Sequence, residues 1–263
     1  MKILVCAKQV PNTKNVTTDP VTGRINREGV ESILNPDDAN ALEAALQIKD
    51  QDPDNVTVTV ISMGPPQAKE MLIECMAMGA DDAILLSDRK FGGSDTWATS
   101  NAIAAGMANV EGGFDLILGG RQAIDGDTAQ VGPQIAEHLG LPVISYAQEI
   151  KVDGDSVIVK RQYDDGYHMV KAQMPCLITA LSELNDPRYM TPGGIFDAVN
   201  AEITTLGRAD LVDVDDSNIG LNGSPTKIAR ASDKVKKGQG EMAPEDADPV
   251  SYIVGKLKDK HVI

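Results

Sequence analysis

A mostly parallel β-sheet with α-helices on both faces is the fold class this sequence predicts, and three observations predict it. Short apolar runs of the fully buried kind recur through the first two-thirds of the chain. Amphipathic stretches at helical spacing alternate with them, as sheet-and-crossover units require. The 263 residues are enough to bury one large α/β core.

The elements follow in order. Ile3–Ala7 is a short apolar strand, and proline ends the segment Lys8–Pro11 after it. Beyond Asn35-Pro36, residues Ala41, Ala44, Ala45 and Ile48 keep the i, i+3, i+4, i+7 spacing of a helix. Asn35 or Asp37 is expected to cap its start, with Pro36 in the first turn. Asn55–Ser62 is rich in β-branched residues and reads as a strand. The next helix follows Pro65-Pro66, with Ala68, Met71, Leu72, Cys75 and Met76 on one face and Gly79 at its end. Ala83–Leu86 and Leu116–Leu118 are buried strands, separated by a helix from Asp95-Thr96 to about Val110. A fourth helix spans Gln130 to Leu139, closed by Gly140, and Val143–Tyr146 adds a strand.

From about Gln148 the pattern changes. Asp153-Gly154 sits between alternating runs in Ile150–Val159, which predicts a hairpin, with Tyr167–Ala172 extending it and Pro175–Ala180 returning as a buried strand. Glu183–Ala198 carries two prolines and a Gly-Gly and reads as a loop. After Ala201 no strong amphipathic period survives until Val250–Leu257; Asp210–Asp216 is acidic and Lys234–Asp248 polar. Such a segment is expected to wrap over the domain or over a partner chain, since alone it lacks a core to offset its ordering entropy.

Composition excludes several function classes. The chain carries 39 acidic against 24 basic side chains, a formal charge of -15, which disfavours nucleic acid because phosphates need a basic face. The 3% aromatic content is low for a protein that stacks bases. Cys6, Cys75 and Cys176 lie far apart without a CxxC pair, which fits a reducing compartment and argues against a zinc or iron–sulfur site. The opening MKILVCAK lacks the apolar core of a signal peptide, and no apolar run approaches a membrane span, so a cytoplasmic protein without membrane insertion is expected.

In an open parallel sheet, ligands bind at the carboxyl ends of the strands. The loops there are Lys8–Thr13, Met63–Pro66, Ser87–Asp95 and Gly119–Gly132. The last, GGRQAIDGDTAQVG, follows a buried strand and leads into a helix, as an anion site requires. Pro133 fits only a first helical turn, which leaves the N–H groups from Thr128 to Gly132 without intrahelical partners and open to phosphate oxygens. Asp125 and Asp127 make sense as caps on backbone N–H groups or as acceptors for ribose hydroxyls. The alternative is a helix N-terminus that caps itself. Neither GxGxxG nor GxxxxGK[ST] is present. FGGSDT at 91–96 only partly mimics the phosphate loop of ATP pyrophosphatases. His138, His168 and His261 have no metal-spaced partners, and no nucleophile–base pair stands out, so no catalytic side chain is assigned. A bound cofactor would then supply the chemistry.

Six motifs in order now identify a family. LVCAKQVP at 4–11, SILNPDDANALEAAL at 32–46, ISMGPPQA at 61–68, MAMGADDAILLSDRKFGG at 76–93, GRQAIDGDTAQVGP at 120–133 and LNDPRY at 184–189 resemble an electron transfer flavoprotein beta subunit from end to end. The resemblance implies a Rossmann-like, adenine-nucleotide-binding α/β domain over residues 1–182, including the hairpin at about 148–173. It implies a dehydrogenase recognition loop at 183–198 and a C-terminal arm at 199–263 that clasps an alpha subunit carrying FAD. A second nucleotide is implied in the beta subunit, against Cys6, Asn35, Asp38, Met63, Gly64, Ala123, Ile124, Asp125, Asp127, Thr128, Ala129, Gln130, Val131 and Gly132. In simple carriers it is a structural AMP. In the electron-bifurcating branch it is FAD, reduced by NADH, whose electrons divide between ferredoxin or flavodoxin and the alpha FAD.

Simple carriers have Asn and Thr where this chain has Ala129 and Val131. VPNTK at 10–14, SDRKFGG at 87–93 and DGDTAQVGP at 125–133 resemble the bifurcating members, which favours FAD, although Asn12 stands where many of those have aspartate. By resemblance, Leu184, Pro187 and Tyr189 of the recognition loop meet a partner dehydrogenase of the FAD-dependent acyl-CoA or 2-hydroxyacid (lactate) type. The alternatives are a carrier with structural AMP and, from another class, a stand-alone adenine-nucleotide sensor.

Overall fold

The computed structural model of the chain describes residues 1–12, 17–18, 25–26, 31–110, 112–212, 214–227, 238 and 240–263. The chain opens with β1 (Lys2–Cys6). Four short strands follow: β2 (Gln9–Pro11), β3 (Thr17–Thr18), β4 (Ile25–Asn26) and β5 (Ser32–Leu34), of which β2 pairs antiparallel with β5 and β3 with β4. Then come α1 (Pro36–Gln51), β6 (Thr57–Met63), α2 (Ala68–Met78), β7 (Asp82–Leu86), α3 (Thr96–Ala108), β8 (Leu116–Gly120) and α4 (Val131–Leu139). β9 (Val143–Asp153), β10 (Ser156–Tyr163) and β11 (Gly166–Gln173) form an antiparallel meander, and β12 (Cys176–Ala180) returns to the centre. The remainder holds α5 (Pro192–Val199), β13 (Thr204–Leu206), the single turn α6 (Gly220–Gly223) and α7 (Pro249–Asp259).

Nine strands make one sheet in the order β11-β10-β9-β12-β8-β1-β6-β7-β13, and every neighbouring pair from β9 to β13 is parallel. The expected fold class is the one observed. Because successive strand residues face opposite sides, Ile3 and Val5 enter one core layer and Leu4 the other. The first layer buries Leu42, Leu46, Met71 and Leu72 of α1 and α2. The second buries Ile103 and Met107 of α3 and Ile135 of α4.

Three segments depart from the pattern reading. Asn35 stands at the start of α1 but makes no side-chain cap there, since its amide is engaged elsewhere, as described below, and Pro36 has no N–H to satisfy. Within the expected loop Glu183–Ala198, Pro192–Val199 is helical: Thr191 Oγ1 accepts from Gly194 N–H at 3.0 Å, and Pro192 opens the first turn. Of the Gly-Gly there, Gly194 serves packing, since a Cβ on it would lie 2.4 Å from the carbonyl oxygen of Ala77 in α2. After Ala201, β13 adds a strand to the edge of the sheet beside β7, and Leu211, Val214 and Ile219 are buried in the second core layer. A three-residue strand and three separated apolar residues are too sparse to register as a period. Thr13, Lys14, Asp213 and the start of the polar stretch from Lys234 lie outside the described residues.

Residues 185–188 are tied to α1. Asn40 Nδ2 donates to the Asn185 carbonyl at 2.6 Å, and Arg188 pairs with Glu43 at 2.8 Å and Asp50 at 2.7 Å. Burial would raise the carboxyl of Glu43, but the Arg188 guanidinium holds it below the usual carboxylate range. Arg188→Ala would strand that buried carboxylate, and urea unfolding is expected to show a loss of about 3 kcal/mol. A loss within about 0.5 kcal/mol would place the pair among ordinary surface contacts.

Candidate functional site

The strand order reverses at β1. From β1 the chain steps through α1 to β6 on one side, and α3 later carries it back to β8 on the other. Such a switch point leaves a crevice beyond the carboxyl ends of the two strands, where open α/β sheets bind ligands. Cys6 ends β1 in register with Gly119 of β8 and Ile61 of β6. Met63 ends β6, and Gly64 N–H donates to the Leu86 carbonyl of β7 at 3.0 Å. The sheet thus brings Cys6, Met63, Gly64 and the β8–α4 loop to one edge.

The first turn of α1 stitches the crevice together. Asp38 accepts from Lys8 N–H and from Gly120 N–H, each at 2.9 Å, so one carboxylate bridges the ends of β1 and β8. Asn35 accepts from Ile124 N–H at 3.1 Å and donates to the Gln122 carbonyl at 2.9 Å, which fixes the loop's height over α1. Gly120 has to be glycine: a Cβ there would lie 2.4 Å from Asp38 Oδ1 and 2.6 Å from the backbone carbon of Asp37. Burial, aided by the neighbouring Asp37 charge and opposed by the two N–H bonds, pushes Asp38 up to about 7. Burial also pushes the Cys6 thiol up to about 12, further raised by Asp38, so Cys6 lines the crevice as a neutral thiol.

The β8–α4 loop turns back tightly at Ala123, whose carbonyl accepts from Gly126 and Asp127 N–H groups at 3.1 and 2.9 Å. Asp127 and Ala129 then adopt positive φ of 52° and 53°, sparsely populated for non-glycine residues and found where a loop is shaped around a ligand. At the start of α4, Gln130 makes no side-chain cap. The N–H groups of Thr128, Ala129, Gln130, Val131 and Gly132 donate to nothing among the described residues. No side chain caps this helix start, which leaves a row of N–H donors at a helix N-terminus open to water or an anion. Gly132 keeps the approach close, since a Cβ would lie 2.8 Å from Thr179 Cγ2. The residues present fit the phosphate of a nucleotide.

The structure also shows what pattern reading missed. Lys8 Nζ pairs with Asp125 at 2.6 Å, and Gln122 Nε2 donates to Asp127 at 2.9 Å, so both acids are oriented by side-chain donors. Thr96 Oγ1 donates to Gln130 Oε1 at 3.2 Å, joining the N-termini of α3 and α4. Sequence separations from 5 to 117 residues leave no local signal for such pairs. The partner-binding expectations spread out: Leu184 is half-buried against the first core layer, Pro187 is exposed in a loop, and Tyr189 is 92% exposed. Among the described residues no group of His, Cys, Asp and Glu has the arrangement of a metal site. No helix among them is long and apolar enough to cross a membrane.

Comparison with known proteins adds the following. A family model described as "Electron transfer flavoprotein domain" matches residues 22–216. The caffeyl-CoA reductase-Etf complex subunit CarD of Acetobacterium woodii is 56% identical over 265 residues, covering 100% of both chains. The electron transfer flavoprotein subunit beta of Clostridium acetobutylicum is 53% identical over 264 residues, again covering 100% of both. The acryloyl-CoA reductase electron transfer subunit gamma of Anaerotignum propionicum is 46% identical over 273 residues, with the same coverage.

Proposed function

We propose a function from one premise: the chain belongs to the electron transfer flavoprotein family and is a beta subunit of it. In this reading the crevice at β1 and β8 holds FAD, with its phosphates on the N–H groups from Thr128 to Gly132. Bound there, FAD would supply two-electron exchange with NADH and one-electron exchange with ferredoxin or flavodoxin, the other electron leaving through the FAD of the alpha subunit. The chain's own residues bind and orient. Asn35 and Asp38 fix the loop, the Lys8–Asp125 pair braces its outer turn, and Gly120 and Gly132 let backbone approach the ligand. Cys6 stays protonated against the ligand and takes no part in electron transfer.

The observation that carries the reading is the row of unclaimed N–H donors at the uncapped start of α4, set at the switch point. FAD rather than AMP is favoured by Ala129 and Val131, apolar where simple carriers have Asn and Thr. A partner dehydrogenase acting on an acyl-CoA is favoured over the lactate type, since two relatives are named for caffeyl-CoA and acryloyl-CoA reductases. That partner would dock on the exposed Pro187 and Tyr189 and on Ile195, Phe196 and Val199 of α5, with Leu184 shaping the loop from below.

One measurement tests the reading. The chain is co-purified with its alpha subunit, flavin per heterodimer is determined, and NADH is added without oxygen. Two FADs and rapid bleaching are expected. One FAD with one AMP would instead assign the structural-AMP carrier, and absence of flavin from the complex would return the sensor.

A further inference from the structure

Beside the β8–α4 loop lies a cleft of about 610 Å³ lined by Arg121, Tyr146, Arg161, Gln162, Tyr163 and Asp164. It shares the β8–α4 loop with the nucleotide crevice through Arg121, but none of the donors Thr128–Gly132 lines it. The backbone is deformed to make it. Tyr146 adopts φ +63° in the middle of β9, with its N–H turned onto Thr179 Oγ1 at 3.2 Å. The ladders on both sides of β9 slip register at the same level, between Ile178 and Ala180 and between Lys160 and Arg161. A non-glycine residue at positive φ costs on the order of 1–3 kcal/mol, and such outliers cluster at ligand clamps.

The cleft's two guanidiniums are held in place, Arg161 by neutral groups alone and Arg121 by a loose ion pair. Arg161 donates from Nη1 to the Tyr163 hydroxyl at 2.9 Å and from Nη2 to Ser145 Oγ at 3.1 Å, and its guanidinium lies over the Tyr163 ring at 4.8 Å. Those partners are neutral, and Arg161 Nε is buried without an acceptor. Arg121 Nε is likewise buried without a hydrogen bond, its one ion pair being a loose one with Asp37 Oδ2 at 3.5 Å, an oxygen that itself accepts no hydrogen bond. Buried donors left unsatisfied are costly, and two guanidiniums facing one cleft suit an acceptor-rich anion. Asp164, also on the lining, opposes an anion and sets one end of the cleft free of it.

We propose that this cleft is a second nucleotide site, which takes a nucleoside diphosphate with its phosphates on Arg121 and Arg161 and its base against the half-open ring of Tyr146. The volume falls within the roughly 300–1,000 Å³ of small-molecule sites. Tyr163 and Ser145 act as positioning residues, since they hold the fork of Arg161 toward the phosphates.

The test uses the heterodimer purified with its resident nucleotides in place, titrated calorimetrically with ADP, inorganic pyrophosphate and adenosine. ADP is expected to bind most tightly, pyrophosphate more weakly and adenosine not at all. Arg121→Gln and Arg161→Gln are each expected to weaken ADP at least tenfold while flavin per heterodimer stays constant. Arg161→Lys should not restore binding, because an ammonium lacks the planar fork. Tyr163→Phe, which keeps the ring, should weaken ADP severalfold with an unchanged melting temperature, which separates positioning from folding. Failure of ADP to bind the wild-type complex overturns the proposal. So does equal binding by the arginine variants, or release of the resident nucleotide by ADP, which would place ADP in the crevice of β1 and β8. The readout does not depend on whether that crevice holds FAD or AMP, so the two readings fail independently.

Discussion

Gly120→Ala is expected to abolish nucleotide retention and to destabilise the chain by about 3 kcal/mol, at the upper end of what overpacking usually costs. The methyl group would sit 2.4 Å from Asp38 Oδ1, 2.6 Å from the Asp37 backbone carbon and 2.7 Å from the Asp37 Cβ. Two of these atoms belong to the first turn of α1 and cannot swing aside as the end of a flexible side chain would. Relief requires α1 to retreat from β8, which breaks the Gly120 N–H bond to Asp38 and shifts Asn35, the loop's anchor at Gln122 and Ile124. The crevice and the fold should therefore fail together, read as lost nucleotide in the purified complex and a lower urea midpoint. Gly126→Ala is the control. It lies in the same loop with open space around the added atom and an ordinary φ, and it should keep its nucleotide and stay within about 0.5 kcal/mol of wild type. If Gly120→Ala behaved like Gly126→Ala, the close approach of α1 to β8 would be no constraint on the site.

Much of this architecture is legible in the sequence because burial on both faces writes a strong local signal. Leu4, Ile117 and Leu177 need apolar neighbours on either side of the pleat, so β1, β8 and β12 read as continuous apolar runs. The β8–α4 loop is legible for a related reason. Gly-Gly at a strand's end, followed by Pro133 that only a first turn tolerates, places a helix N-terminus at the sheet's edge without any tertiary knowledge. What escapes local reading is whatever depends on distant pairing. β2 and β5 are three residues each and are stabilised by one another across residues 9–34. The helix at Pro192–Val199 hides behind a Gly-Gly whose second member, Gly194, packs against Ala77. Asn35 looks like a helix cap, and only the fold reveals that its amide serves a loop 87 residues away. Arg121 and Arg161 carry no motif at all, and the slipped registers around Tyr146 are what bring them to one cleft.

Asp38→Asn is expected to flatten the pH dependence of both stability and nucleotide retention. Burial raises the Asp38 carboxyl to about 7, whereas an unfolded aspartate titrates near 3.9. Between about pH 4 and pH 7 the folded chain therefore holds a proton that the unfolded chain has released. Stability from this group is present in full at low pH and is lost as pH rises through about 7. Each pH unit in that window is worth about 1.4 kcal/mol, so the wild type's stability relative to Asp38→Asn should fall by on the order of 2–3 kcal/mol from about pH 5 to about pH 8. Retention of the nucleotide should run the opposite way. Only the carboxylate accepts from both Lys8 and Gly120, and a protonated acid turns one oxygen into a donor facing an N–H. The crevice is then best stitched above about pH 7, where the fold carries the larger electrostatic cost. Asparagine resembles the protonated acid at every pH, with one carbonyl for two donors, so its retention should be low and level. Urea unfolding and nucleotide content, followed across this range for both proteins, decide the matter. Parallel stability curves would mean that Asp38 titrates as an ordinary exposed carboxylate, and the bridge between β1 and β8 would then not be the element that couples folding to ligand binding.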